Sequence, residues 1–269
     1  MRTLIYVPVI HTSTDLGSLA KDVTKRGIAD IGEDVWEKHK AAVEKFWDVI
    51  SDYFNSIDVS GKKVYQDGMV ADGEIGQRIV EEGAKSGSRN YELVARLLNR
   101  GAILVKTEDF KLVKEELDRL GALTHAKSIA HKLIAFIKYK LVKDRLLDKR
   151  DKFIAKKIDE SLRQDETGII FIGAYHNIKK RLPVSIRVGE IKDARIVKEY
   201  QMLLPFYKKH KERFEELSRY LISKPEGNGA ASDSRSHKPE GNGLASGRPQ
   251  GHGLASFGQS HSQSHKLEG

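Results

Sequence analysis

The chain has 269 residues, 32% of them charged, a formal net charge of +9 and no cysteine. Disulfides and thiolate metal sites are therefore excluded, and cysteine usage says nothing about redox compartment. Basic and acidic residues are interspersed, so the positive surplus reads mainly as solvated helix faces with a modest preference for anions.

The N-terminus, MRTLIYVPVIHTS, carries one arginine and a short apolar run, followed at once by charged helical sequence. It reads as a strand over residues 3–10 rather than a signal peptide or a membrane span, and a cytoplasmic location is expected. Pro8 cannot donate to a ladder, which predicts an edge strand or a loss of pairing near that point. The run stops at His11, and Thr12, Ser13, Thr14 and Asp15 follow as caps for a helix from Leu16. Residues 16–55 read as two helices broken between Gly27 and Gly32. Val43, Phe46, Ile50 and Phe54 lie on an apolar stripe with both tryptophans, Trp36 and Trp47, which read as core.

A second strand, KKVYQDG, ends near Asp67, where Asp-Gly is equally a turn signal. Asp72 opens a helix with Glu74 in its first turn, where an acid suits the helix dipole whatever else it does. Ser88 reads as the N-cap of a helix from Arg89, with Arg89 and Asn90 as polar candidates and Gly101 as the stop. A third strand, AILVKTE, leads to a helix that begins at Asp109. Residues 122–163 are long, basic and helical, with Lys127, Lys132, Lys138, Lys140 and Lys143 among the cations. A nucleic-acid-binding arm and a solvated hairpin with lysine stems over the core both have this pattern. The lack of an aromatic stacking pattern or nucleic-acid motif favours the hairpin.

Within residues 150–162, Ile154, Ile158 and Leu162 recur at helical spacing, and the apolar run TGIIFIGAYH follows. Its short, β-branched character predicts a parallel strand covered on both faces. Such a strand delivers Gly173-Ala174-Tyr175-His176 to the carboxyl edge of a sheet, where open α/β folds bind ligands. A last strand, VSIRVGEI, and two helices from Asp193 broken at Pro205 follow. The alternation predicts an α/β domain over residues 1–223: a mainly parallel sheet flanked by helices, with long helical insertions. Residues 224–269 repeat KPEGNGAAS, KPEGNGLAS and RPQGHGLAS, have too little apolar surface to fold and are expected to be disordered. His237, His252, His261 and His265 in that tail carry no catalytic expectation.

Two apolar strands thus end on histidines, His11 and His176, and another ends on Asp67. With Arg150-Asp151, Ile154-Ala155 and Gly173-Ala174-Tyr175-His176, the chain resembles the TraB/Tiki-like superfamily, with its ChaN and erythromycin-esterase relatives. That family's first strand also ends in Gly-x-x-His; here Pro8-Val9-Ile10-His11 keeps the histidine and not the glycine. The resemblance covers about a quarter of the chain. It implies a compact α/β domain with metal-dependent hydrolysis of a peptide, ester or amide bond in a small-molecule or peptide substrate. His11, His176 and Asp67 would then hold a divalent ion, with Asp67 or Glu74 as third ligand or base. Asp15 would orient His11 from behind, and Arg89 is a further polar neighbour. Arg150 would bind an anionic substrate group or lock Asp151 in a structural pair. The competing expectations are a noncatalytic binder of an anionic ligand and nucleic-acid binding through the lysine-rich helices.

Overall fold

In the computed structural model the described residues are 1–12, 15, 20–124 and 129–225, with the side chains of 20–23, 26, 117, 120–124 and 129–141 excepted. The repetitive tail from Glu226 and its histidines lie outside them, as do Ser13, Thr14 and Leu16 and the side chains of Lys127, Lys132, Lys138 and Lys140. Five strands form one sheet: β1 (Arg2–Val9), β2 (Lys63–Gln66), β3 (Ile103–Val105), β4 (Thr167–Gly173) and β5 (Ile186–Glu190), in the order β3-β2-β4-β1-β5. Every pairing is parallel. Helices α1 (Ala20–Ile31), α2 (Glu33–Asn55), α3 (Gly73–Lys85), α4 (Arg89–Asn99), α5 (Phe110–Thr124), α6 (Ile129–Ser161), α7 (Ala194–Leu203) and α8 (Lys211–Ile222) surround it. Among the described residues, no helix is long and apolar enough to cross a membrane.

The period-two alternation of the strands divides the core into two layers. Ile5, Val7 and Val9 of β1 face one layer with Phe46, Trp47 and Phe54 of α2 and Phe214 of α8. Leu4 and Tyr6 face the other, with Ile154 and Ile158 of α6 and Leu162 just past its end, the stripe expected from their spacing. Gly32, at φ 93°, separates α1 from α2. Ser88 caps α4, its hydroxyl accepting from the Tyr91 N–H.

Of the two outcomes expected at Pro8, the loss of pairing is found and the edge position is not. β1 is central, flanked by β4 and β5, and not an edge strand. The ladder to β5 runs only from Arg2 to Tyr6, so the residue that cannot donate lies beyond that ladder while β4 continues on the other side to Gly173.

The topology brings distant segments together at one rim. Val9 pairs with Gly173 and Gln66 with Phe171, so β1, β2 and β4 end at nearly one level. His11, Asp67 and His176 each follow one of those ends within three residues.

Candidate functional site

Each side chain at this rim is aimed by a local backbone device. The Trp47 indole N–H donates to the Ile10 carbonyl at 3.1 Å, fixing the chain just before His11. Asp67 sits in a tight turn, with the Met69 N–H bonded to the Gln66 carbonyl at 3.1 Å and Gly68 at φ 77°. The Asp-Gly pair is therefore both the turn and the delivery of a carboxylate. Past β4, the His176 N–H closes back on the Gly173 carbonyl at 3.0 Å. Gly173 itself donates its N–H to Asp67 Oδ2 at 3.1 Å, tying the two strand ends together.

Asp67 is the hub. Its Oδ1 accepts from Arg150 Nη2 at 2.7 Å, and its Oδ2 lies 3.4 Å from His176 Nε2. Burial would raise its pKa, but the charges of His176 and Arg150 outweigh that and hold it well below the usual carboxylate range. His176 Nδ1 lies 2.6 Å from Asp151 Oδ1, and the other Asp151 oxygen accepts the Asn177 N–H at 2.8 Å. Burial disfavours the imidazolium, yet the Asp67 charge and the Asp151 hydrogen bond raise the His176 pKa to about 10. Two residues past β1, His11 Nδ1 is 3.8 Å from Asp15 Oδ2, which also accepts the Thr12 N–H at 2.6 Å. Burial lowers and Asp15 raises the His11 pKa, with a net upward shift; Asp67 and His176 also act on it. The expected orientation of His11 by Asp15 thus has a geometric basis.

Arg150 and Asp151 correct the expectation that they pair with each other. The Arg150 guanidinium, 0% exposed, is enclosed by Asp67, Glu108 and Glu116. Its Nε lies 3.1 Å from Glu108 Oε2, its Nη1 reaches Glu116, and its Nη2 serves Asp67 and Glu108. A cation so committed is not available to a substrate anion. Glu108 and Glu116 were not anticipated as part of the site. Burial raises the pKa of both more than Arg150 lowers it. Glu108 follows β3 and is positioned when its N–H and that of Thr107 both bond the Met69 carbonyl at 2.9 Å.

Two expected residues lie elsewhere. Glu74 is exposed in the first turn of α3, and among the described contacts its side chain reaches no residue of this cluster. Arg89, about a third exposed, turns outward to Asp48 and Glu92. Their neighbours Ser88, Asn90 and Tyr91 are buried, and Asp67 and Asp15 add to the effect of burial in raising the Tyr91 pKa. The N-terminus of α4 therefore borders the cluster although Arg89 does not.

Unused hydrogen-bonding capacity concentrates at this rim. His11 Nε2, His176 Nε2, Asp15 Oδ1, Gln66 Oε1 and Asn90 Oδ1 are all buried without a hydrogen-bond partner. Such groups cost about 1–3 kcal/mol each when left unsatisfied. No three His, Asp or Glu side chains among the described residues are gathered closely enough to hold a metal ion as they stand. The donor set nonetheless suits one: each imidazole has Nδ1 turned to a carboxylate and Nε2 unpaired, the arrangement that orients histidine ligands. On the outer face of α6, a cavity of about 410 Å³ is lined by Lys152, Lys156, Lys180 and Arg181. Asp148 pairs with Lys152 and Arg181, and Glu160 with Lys156 and Lys157, so two carboxylates are shared among more cations and the face keeps a positive excess.

Comparison of the chain with known families, with curated proteins and with solved structures gives no match in any of the three.

Proposed function

We propose that the protein is a metal-dependent hydrolase acting on a peptide, ester or amide bond, with His11, His176 and Asp67 as the residues that hold a divalent ion. The observation that carries this reading is a pair of imidazoles whose Nδ1 atoms face Asp15 and Asp151, with Nε2 free of hydrogen bonds at His11 and 3.4 Å from Asp67 Oδ2 at His176. The resemblance to the TraB/Tiki-like superfamily supports the same residues. A bound ion there would lower the pKa of its water and polarise the scissile carbonyl. The chain's own groups do the rest. Asp151 holds the His176 ring so that Nε2 faces Asp67, and Arg150 keeps the Asp67 carboxylate ionised and fixed. Glu108 and Glu116 balance Arg150, which binds no substrate in this scheme.

A noncatalytic anion-binding protein is the weaker reading, because the buried arginine at the rim has no free face. The test is metal content after purification and dialysis against a divalent ion. Wild type retains the ion, and the His11→Ala/His176→Ala double variant loses it while keeping its far-ultraviolet circular dichroism. Equal retention in the two proteins ends the hydrolase reading.

A further inference from the structure

A cavity of about 410 Å³ opens between the outer face of α6 and the short 3-10 turn Ile178–Lys180, and it shares no lining residue with the rim. Its size falls within the range of small-ligand sites, about 300–1,000 Å³. Both walls are anchored from behind. Ile154 and Ile158 are buried on the inner face of α6, and Ile178 and Leu182 are buried on the inner side of the turn. The Arg181 and Leu182 N–H groups both close on the Ile178 carbonyl, at 2.8 and 3.1 Å, while Lys180 and Arg181 are exposed.

The charges here do not balance. In and beside the cavity six cations, Arg2, Lys152, Lys156, Lys157, Lys180 and Arg181, meet three carboxylates, Asp148, Asp159 and Glu160. Asp148 is shared by Lys152 and Arg181, Glu160 by Lys156 and Lys157, and Asp159 pairs with Arg2. Among the described residues, Lys180 joins no ion pair. Six against three leaves an excess of three positive charges, and the Lys152 and Lys156 side chains are open to solvent. A phosphate monoester carries about −1.5 to −2 at neutral pH. One such group leaves the face positive; a pair brings it to about neutral. Arg181 offers a planar fork to phosphate oxygens, and the lysines offer compact point charges. The apolar part of the lining is Ala155 and Pro183, so a nucleobase would find no ring to stack on.

We propose that this cavity binds a small anion carrying two phosphate groups, a diphosphate or a bisphosphorylated compound without a base. The site is separate from the rim and stands whether or not the rim holds a metal.

The experiment uses the full chain, freed of metal by chelation so that no ion can recruit the probe, and calorimetric titration at moderate ionic strength. Inorganic pyrophosphate is expected to bind at least about tenfold more tightly than inorganic phosphate. Lys152→Gln/Lys180→Gln is expected to weaken pyrophosphate about tenfold or more. Arg145 and Lys149 continue the Lys152–Lys156 stripe along α6 at helical spacing but lie outside the cavity lining. Arg145→Gln/Lys149→Gln is therefore expected to change pyrophosphate binding by less than about twofold. All four side chains are exposed, so both variants keep the core intact. A short duplex DNA is the third probe, because a nucleic acid would follow the whole stripe and need both pairs of cations. No saturable binding of pyrophosphate, equal losses in the two variants, or a tighter hold on the duplex overturns the proposal; the last two would assign the face to nucleic acid.

Discussion

His176 and Asp151 are joined twice, through the 2.6 Å contact between Nδ1 and Oδ1 and through the neighbouring Asn177 N–H, which donates to the second carboxylate oxygen. The helix α6 thereby sets the orientation of a side chain that the sheet delivers. Replacing Asp151 with alanine frees the ring to rotate. Metal retention is expected to fall roughly 10- to 100-fold, measured by equilibrium dialysis, and stability by about 1–3 kcal/mol in urea unfolding, since two buried donors lose their acceptor. Unchanged retention would show that Asp151 is a structural cap for the turn and nothing more.

Arg150 predicts the largest stability effect. Arg150→Met removes the buried guanidinium that Asp67, Glu108 and Glu116 share and leaves their charge poorly compensated in the core. The expected cost is about 3–5 kcal/mol in urea unfolding. Adding Glu108→Gln and Glu116→Gln is expected to recover part of it, because fewer charges then need the arginine. If the triple variant is no more stable than the single one, the effect lies in packing and not in charge.

Gly173 predicts a subtler change. A Cβ built there stands 3.2 Å from Asp67 Oδ2 and 3.6 Å from His176 Cδ2, so the Asp67 carboxylate must give by a few tenths of an ångström. Gly173→Ala is expected to lose about 1 kcal/mol of stability, as a mild overpacking does. Its metal retention is expected to suffer out of proportion, since the displaced atom belongs to a proposed ligand. Parallel unfolding and dialysis measurements separate the two effects.

His39 predicts the acid limb of stability. Its Nδ1 lies 2.8 Å from the Tyr200 hydroxyl, and burial lowers its pKa to about 4. The unfolded chain, with a pKa near 6.5, binds the proton first. Stability from this residue is therefore intact above about pH 6.5 and declines as pH falls towards 4, by on the order of 2 kcal/mol for a partly buried ring. His39→Gln is expected to flatten the unfolding free energy across that window. The same slope in wild type and variant would assign it to other groups.

The sheet and its rim were legible because strand chemistry is local: a β-branched run ends where polar residues begin. That made His11, Asp67 and His176 visible one at a time, and also suggested Asp15 from its spacing to His11. Their convergence was not local. It depends on β4 entering between β2 and β1, and no periodicity records strand order. Glu108 sat in plain view at the end of AILVKTE but looked like one more solvated acid. Only its 0% exposure, set by the fold around Arg150, distinguishes it from Glu74, which has the same residue type in a similar strand-to-helix setting. Pro8 left two outcomes open, an edge strand or a loss of pairing, and the second holds on one side: β1 has two ladders of different length, and the one to β5 stops at Tyr6.

The position of β4 has a consequence for biosynthesis. β1 and β2 are never neighbours; the strand that joins them is translated some hundred residues after β2. A chain arrested before Thr167 lacks the strand that joins β1 to β2, so the sheet closes only late in synthesis, through pairings distant in sequence.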